Sequence, residues 1–437
     1  MATSKIKFIV TDGNLFTEAA DEDGVSALIF DVSTSPFDGS AIPTDGEVYR
    51  VFSLEQAVGL NPNDDTKGVL PLVIDSNNAV TDAGYEKGLP HKHISDFFTV
   101  NPQGELYLGF ADLSTDTSFT ILNKVQSYAN GRVRQMGIYT PQELLNSGDN
   151  SVNFVANIQA AADLDAQEGY NKPYSVLLHG SIATLDNGTV DVDFNKITSA
   201  ETVSATSPNR VSINIGQSAS NFTSQLQKNN TNVASVGSVG AMLGCVSLAN
   251  VHESIGWVAK FNIQDADLST IAFGYGDLTT IDVNNTPYED LTSTEKDVLD
   301  NSGYIFPHKY VGLAGTFFSG EATLNTQDYR TIARNRTIDK SRRLVRLGLL
   351  PTIQQPLYVD PNSGKLSKAT IGQFKSIVHQ SLSLMLSNGE ISGFDIVIDP
   401  TQNVLSSDTL KIKYRIVPVG VNKQIEVEIG FSGSVAS

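Results

Sequence analysis

"ELYLGFADLSTDTSFTILNKVQSYANGRVRQMGIYT", Glu105 to Thr140, is the stretch on which the fold class turns. It opens on an apolar run, Glu105–Phe110. Helical spacing follows through Ile121, Leu122, Val125 and Ala129, then a second strand-like run at Arg132–Tyr139. Gly131 stands where a helix ends in a left-handed residue at C′. Strand, helix, strand at this spacing is a βαβ unit, the crossover that parallel strands require.

The same rhythm extends in both directions. Upstream, Val25–Val32 is almost wholly apolar, the mark of a strand covered on both faces. Glu47–Phe52 reads as a strand and Ser53 as the cap of a short helix through Val58. Val69–Ile74 reads as a short strand, and Thr81–Thr99 contains helical segments. Downstream, Val152, Val155, Ile158 and Ala162 fall on one face of a helix over Ser151–Gln167. Tyr174–Gly180 and Arg210–Gly216 are buried strands, and Val233–Ala249 is a small-residue helix. This alternation predicts an α/β fold, an open mixed sheet with helices on both faces.

The last third changes character. Thr292 and Glu295 form a capping box for a helix through Leu299. Strands follow at Tyr304–Val311 and Leu313–Phe318. In Thr370–Asn388, Ile371, Phe374, Val378, Leu382 and Met385 form one helical stripe, closed by Gly389. Phe394–Ile398, Leu410–Val417 and Gln424–Phe431 read as strands, the last two as a hairpin across Pro418–Lys423. In that hairpin Lys411, Lys413 and Arg415 would face Glu426 and Glu428 across the ladder.

The chain of 437 residues has a formal net charge of -18, and such a surface repels phosphate backbones. Against that background "YRTIARNRTIDKSRRLVRLGLLP", Tyr329–Pro351, holds seven cations and one acid, Asp339. It carries +6 and leaves the rest at -24. Arg336, Lys340 and Arg343 follow i, i+4, i+7, so a solvated helix face is one reading. A nucleic-acid site is another, with no aromatic interleaving to support it. A contact with acidic protein surface is the third.

Chemistry-bearing motifs are sparse. There is no phosphate loop, no dinucleotide fingerprint, no HExxH and no GxSxG. Cys245 is the only cysteine, which excludes an intrachain disulfide and a thiolate metal cluster; it reads as a core residue. His91 and His93, two apart on a strand, would point the same way and hold a metal with Asp96; a plain loop or helix start is the alternative. His179 closes a buried strand, where α/β enzymes put catalytic groups, so a hydrolase-like site is the alternative functional reading. Asp186, Asp191 and Asp193 read as a cation site or as a turn with an acidic strand face. Trp257 reads as a core aromatic. The apolar run near the start, Ile6–Val10, is too short for a signal peptide, and no stretch is long enough to span a bilayer.

The order of elements from "GTFFSGEATLNTQDYRTIARNRTIDKSRRLVRLGLLP" through "GKLSKATIGQFKSIVHQSLSLMLSNGEISGFDIVIDP" to "LKIKYRIVPVGVNKQIEVEIGFSGS" resembles the carboxy-terminal domain of contractile tail sheath proteins. These serve phages, R-type pyocins, extracellular contractile injection systems and type VI secretion. "VYRVFSLEQAVGL" is similar to the strand-Ser-helix entry near the sheath N-terminus. "SVGAMLGCVSLANVHESIGWVAKFNI" resembles the branch found in Bacteroidetes phages and injection systems.

The resemblance implies three parts: an N-terminal arm over 1–24, an α/β sheath domain over 25–300 with surface insertions, and a C-terminal α+β sheath domain over 301–437. It also implies extended terminal strands that add to neighbouring subunits' sheets, here through Ile6, Phe8 and Val10 and through Ile425, Val427, Ile429 and Phe431. Arg336, Lys340, Arg342, Arg343 and Arg346 would meet acidic groups on adjacent subunits or the tube. The implied partners are further copies of the chain in a helical stack of rings, an inner tube protein, and baseplate and tail-terminator proteins. Nucleic acid binding, membrane insertion, cofactors and enzymatic activity are not implied. Assembly would take place in the bacterial cytoplasm, as part of a phage tail or of an injection particle that can be released from the cell.

Overall fold

A computed structural model describes residues 23–32, 46–58, 85–140, 150–167, 171–180, 210–220, 223, 236–274, 285–301, 303–325, 327–361 and 364–431. The strands expected at Lys5–Val10, with Ile6, Phe8 and Val10, and at Val69–Ile74 lie outside these residues. So do Asp186, Asp191 and Asp193.

The main sheet begins with β1 (Ser26–Asp31), β2 (Val48–Val51), β3 (Leu106–Ala111), β4 (Gln135–Tyr139), β5 (Ser175–His179) and β6 (Val211–Asn214). A separate three-stranded antiparallel sheet holds β7 (Gln217–Ser218), β8 (Ile271–Gly274) and β9 (Asn285–Pro287). The chain then returns to the main sheet as β10 (Tyr304–Ile305), giving the order β10-β6-β5-β4-β1-β3-β2. Every pairing in it is parallel except β2 with β3, so the sheet is mixed with one antiparallel edge.

Helices cover both faces. On one side α3 (Thr120–Tyr128) and α4 (Asn150–Ala166) bury Ile121, Leu122, Val125, Val155, Ile158 and Ala162. On the other, after the short α1 (Leu54–Val58), α2 (Tyr85–Val100) and α5 (Val239–Leu248) bury Leu89, Phe97, Met242, Leu243 and Val246. Each such Val, Leu, Ile, Phe or Met side chain contributes roughly 1.5–3 kcal/mol on burial. The small residues of α5 have a steric reason: a Cβ on Gly240 would lie 2.2 Å from the His93 carbonyl oxygen of α2.

Local signals set the ends. The βαβ unit closes its helix with two bonds, Asn130 N–H to Ser127 O at 3.1 Å and Gly131 N–H to Gln126 O at 2.7 Å. Asn130, at φ 53°, takes the left-handed C′ position expected of Gly131, which follows at φ 76°. Thr292 and Glu295 exchange backbone-to-side-chain bonds ahead of α6 (Ser293–Asn301).

After a small ribbon of β11 (Pro307–His308) and β12 (Phe317–Phe318) come α7 (Ile332–Leu349) and α8 (Lys368–Ser387). Phe374, Val378, Leu382 and Met385 are buried along α8, as the stripe required. Gly389, at φ 72°, ends the helix and turns the chain into β13 (Ile391–Val397). A short α9 (Val404–Ser407) precedes β14 (Lys413–Pro418).

The C-terminal hairpin differs from expectation. β14 pairs with β13, with Phe394 opposite Ile416, Asp395 opposite Arg415 and Ile396 opposite Tyr414. Residues 424–431 form no ladder among the described residues, and Glu426 and Glu428 do not pair with Lys413 and Arg415, whose strand pairs with β13. At the root of this tail Lys423 Nζ meets Asp300 Oδ2 on α6 at 2.7 Å. Trp257, expected in the core, is half exposed on a surface turn, while Phe261, a turn later, occupies the core position.

Candidate assembly interface

The basic stretch forms α7, capped by Thr331, whose hydroxyl oxygen accepts from Arg334 N–H at 3.3 Å. The helix crosses the N-terminal ends of the parallel strands. Asp339, its lone acid, holds Arg210, the residue before β6, at 2.6 and 3.0 Å. Arg336 is buried and donates to the carbonyls of Ala249 at 3.1 Å and Asn250 at 3.4 Å. These lie at the C-terminal end of α5, where the helix dipole favours a cation. Burial pushes the Arg336 guanidinium down to about 10, against the pull of Asp23.

A second cluster joins residues far apart in the sequence. Lys340 Nζ lies 2.6 Å from both Asp23 and Glu390, and Arg343 also pairs with Asp23. Burial opposes ionisation of Asp23, but Arg343, Lys340 and Arg336 together outweigh it and hold the carboxyl below its usual value. Asp23 leads into β1 and Glu390 into β13, so Lys340 ties the start of the main sheet to the C-terminal sheet.

The five cations named from sequence therefore divide. Arg336, Lys340 and Arg343 have partners in their own chain. Arg342 donates to Asn171 Oδ1 at 3.1 Å, and Arg346 is exposed. Along that side of α7 runs a cleft of about 160 Å³, between Arg342, Arg343 and Arg346, the Asn130–Gly131 turn, and Asn171–Pro173 ahead of β5. Arg134 and Lys172 also line it, and among the described residues no carboxylate does.

The tail is the second feature. Its apolar side chains run from 73% exposed at Val427, through Ile425 and Ile429, to full exposure at Phe431. The β13–β14 sheet that precedes it in the chain has both outer edges unpaired among the described residues. Tyr414 and Ile416 turn toward the C-terminal core, while Lys413 and Arg415 face out.

The opposite end of the main sheet, where α/β enzymes place their chemistry, is filled. His179 is fully buried, its ring stacked on Tyr139 at 5.1 Å, and Gly237 packs against it. Asp31, ending β1, accepts from the Thr140 hydroxyl at 2.7 Å and from Leu113 N–H at 3.2 Å. The pairing of His91 with His93 fails because both lie on α2, where residues two apart point to different sides. His93 packs on Tyr139, and Asp96 is held by Lys92 at 2.8 Å. Cys245 is buried in the core, as expected.

Two family models cover most of the chain: the N-terminal domain of DUF2586 matches residues 70–321, and the DUF2586 C-terminal domain matches 328–435. The chain belongs to the DUF2586 family. No curated protein matches its sequence.

In fold, this DUF2586 protein is similar to a chain of the anti-feeding prophage baseplate, with a TM-score of 0.54, 12% identity and 99% of each chain covered. It is similar to a chain of the anti-feeding prophage helical sheath in the contracted state, at a TM-score of 0.53 and 13% identity, over 98% of this chain and 99% of that one. A third match is to the contracted sheath complex of PVC, an extracellular contractile injection system, at 0.55 and 11%, over 100% and 99%. At these identities the likeness establishes the fold, that of chains found in contractile injection assemblies. Among the described residues of this DUF2586 protein, no helix is long and apolar enough to cross a membrane.

Sequence reasoning named the basic residues of α7 but missed the groups that hold them. Arg210, Asp23 and Glu390 are scattered along the chain, and only the fold brings them to α7. The isolated Asp339 was the available signal: one acid among seven cations on a docked helix asks for a buried cation opposite.

Proposed function

We propose that this chain is the structural subunit of a contractile tail sheath. It polymerises into a helical cylinder around an inner tube, and contraction of that cylinder drives the tube through a target membrane. The observation that carries this reading is the tail: residues 424–431 are exposed, alternately apolar and acidic, and join no sheet among the described residues, and the β13–β14 sheet that precedes them has open edges among those residues. An exposed apolar edge is a liability in a monomer and an asset in a polymer. In this reading Ile425, Val427, Ile429 and Phe431 add as a strand to a neighbour's sheet, and Ile6, Phe8 and Val10 do so at the other end. The fold likeness to chains of contracted sheaths supports the same conclusion.

The division into an arm over 1–24, an α/β domain over 25–300 and a C-terminal domain over 301–437 serves this role. Arg336, Lys340 and Arg343 act indirectly, by fixing α7. Arg342 and Arg346 are the cations left to meet acidic groups on an adjacent subunit or the tube. Partners are copies of the chain, the tube protein, and baseplate and tail-terminator proteins, without nucleic acid, cofactor or direct membrane insertion. Assembly takes place in the bacterial cytoplasm, and the product is part of a phage tail or a released injection particle.

Negative-stain images of the expressed protein with its cognate tube should contain striated cylinders. A chain that stays monomeric with both tube and baseplate present overturns the proposal.

A further inference from the structure

The turn between β11 and β12 is an apolar knob on the surface. Tyr310, Val311, Gly312, Leu313 and Ala314 are all exposed, Val311 completely and Leu313 to 47%. Single exposed apolar residues are ordinary, but a run of five without a charge is not. The knob is also fixed at both ends. Lys309 N–H donates to the Tyr288 hydroxyl at 3.2 Å on one side. On the other, Thr316 N–H donates to Asn262 Oδ1 at 3.2 Å and the Thr316 hydroxyl to Leu268 O at 2.7 Å. Between them Leu313 N–H closes a turn on Tyr310 O, with Gly312 at φ 85° in the third place, where such a turn needs a left-handed residue. An apolar anchor held in this way loses little freedom on binding.

Its surroundings are acidic. Residues 285–309 hold five acids, Glu289, Asp290, Glu295, Asp297 and Asp300, against Lys296 and Lys309, a net charge of -3. Glu289 pairs with Lys309 at 3.0 Å at the root of the knob. Burial and then the charge of Asp300 push the Tyr310 hydroxyl up, which sets that carboxylate near the knob. Asp300 and Asp297 also act electrostatically on His308 in β11.

A matching surface lies at the end of α7. Leu347, Leu350 and Ile353 recur every three residues and all are exposed, with Ile353 N–H turned back onto Leu350 O at 3.2 Å. Residues 342–353 hold Arg342, Arg343 and Arg346 and no acid, a net charge of +3. Arg343 lies one turn before Leu347, and the exposed Arg346 one turn before Leu350, so the apolar strip has a basic border.

We propose that the knob at Tyr310–Ala314 of one copy docks on the strip of Leu347, Leu350 and Ile353 of a second copy, its acidic surroundings set against the basic border. The two surfaces differ, so the contact is head-to-tail, and its repetition makes a ring, an open row or a helix rather than a closed two-fold pair. Its role rests on the sheath reading, where it adds a side-chain contact to the exchange of terminal strands. The patch is small, so the contact is weak between free copies and counts by repetition.

Disulfide capture on the full-length protein tests this. Cys245 is buried, so a surface thiol introduced elsewhere is the accessible one. Val311→Cys and Ile353→Cys proteins, mixed under mild oxidation, should link about tenfold faster than either links to Ser387→Cys, at the exposed end of α8. Arg346→Glu in the Ile353→Cys protein should slow the linking, and Asp297→Lys in the Val311→Cys protein should recover it. Equal rates for matched and control mixtures overturn the proposal. A rate indifferent to Arg346→Glu also overturns it, by removing the reason for this strip. Preferential linking of Val311→Cys to itself, or to the tube protein when tube is present, overturns it by giving the knob another occupant. The linking is read on the protein alone, so the two readings fail separately. Linked pairs without striated cylinders would keep the contact and sink the sheath reading, and cylinders without linked pairs would do the reverse.

Discussion

Asp339, the one acid of the basic helix α7, grips Arg210 through two parallel hydrogen bonds of 2.6 and 3.0 Å, with both side chains buried. The pair anchors α7 at the N-terminal edge of the main sheet. Removing one partner strands the other charge in a site with little water, so Asp339→Leu alone should cost about 3–5 kcal/mol. The double variant Arg210→Met/Asp339→Leu leaves no orphan charge and should cost far less. Urea unfolding of the three proteins measures the difference, and equal losses in single and double variants would mean that the pair carries no coupling.

The contact between α2 and α5 predicts intolerance at Gly240. An alanine there would place its Cβ 2.2 Å from the backbone carbonyl of His93. The obstacle is backbone, so the helices must separate, and separation opens gaps among Phe97, Met242 and Leu243. We expect Gly240→Ala to lose about 1–3 kcal/mol in thermal unfolding. A variant as stable as the parent would show that the two helices slide apart at no cost.

Glu321 sets a pH dependence. Its side chain is buried and accepts from Ala333 N–H at the start of α7, at 3.1 Å. Burial raises its pKa to about 8, although that N–H and the charges of Arg336 and Arg334 work the other way. Between the ordinary value of 4.5 and about 8 the folded protein keeps a proton that the unfolded chain has released. Stability from this group is therefore full below 4.5 and declines as pH rises toward 8. Glu321→Gln keeps an acceptor for Ala333 and does not titrate. Its first thermal transition should match the parent near pH 4 and exceed it by about 2–4 °C at pH 8. A gap that does not widen with pH would remove Glu321 as the cause.

The fold was legible where local chemistry and burial agree. The run at Val25–Val32, the stripe from Phe374 to Met385 and the Thr292–Glu295 box each announce their element, and each is where it should be. The tail was misread for a physical reason. Alternating Ile425, Val427 and Ile429 signal a strand, but alternation does not say whose sheet completes it. The α7 site was half legible. Seven cations on one helix are visible in sequence, whereas Asp23, Arg210 and Glu390 are brought to it only by long-range packing. His91 and His93 misled because a two-residue spacing means one face on a strand and two faces on a helix.

The same tail makes the sharpest prediction about assembly. Lys413 and Arg415 face outward on β14, while β13 presents Asp395 and Val397 on its outer face. A strand arriving with Glu426 and Glu428 on its polar side is attracted by the edge of β14 and repelled at Asp395. On the sheath reading proposed above, the cross-strand pairing that the single chain leaves open closes between two copies, each ion pair adding roughly 0.2–1 kcal/mol. On this argument Glu426→Lys/Glu428→Lys should abolish polymers, and so should Lys413→Glu/Arg415→Glu, while each leaves a folded monomer. Mixing the two variants should restore mixed polymers, since each supplies what the other's edge now attracts, whereas combining all four changes in one chain should restore self-assembly. Sedimentation and negative-stain imaging read both outcomes. If the two charge-reversed proteins assemble as well as the parent, the tail is not received by β14, and if neither mixing nor combination rescues them, the losses come from elsewhere in the fold.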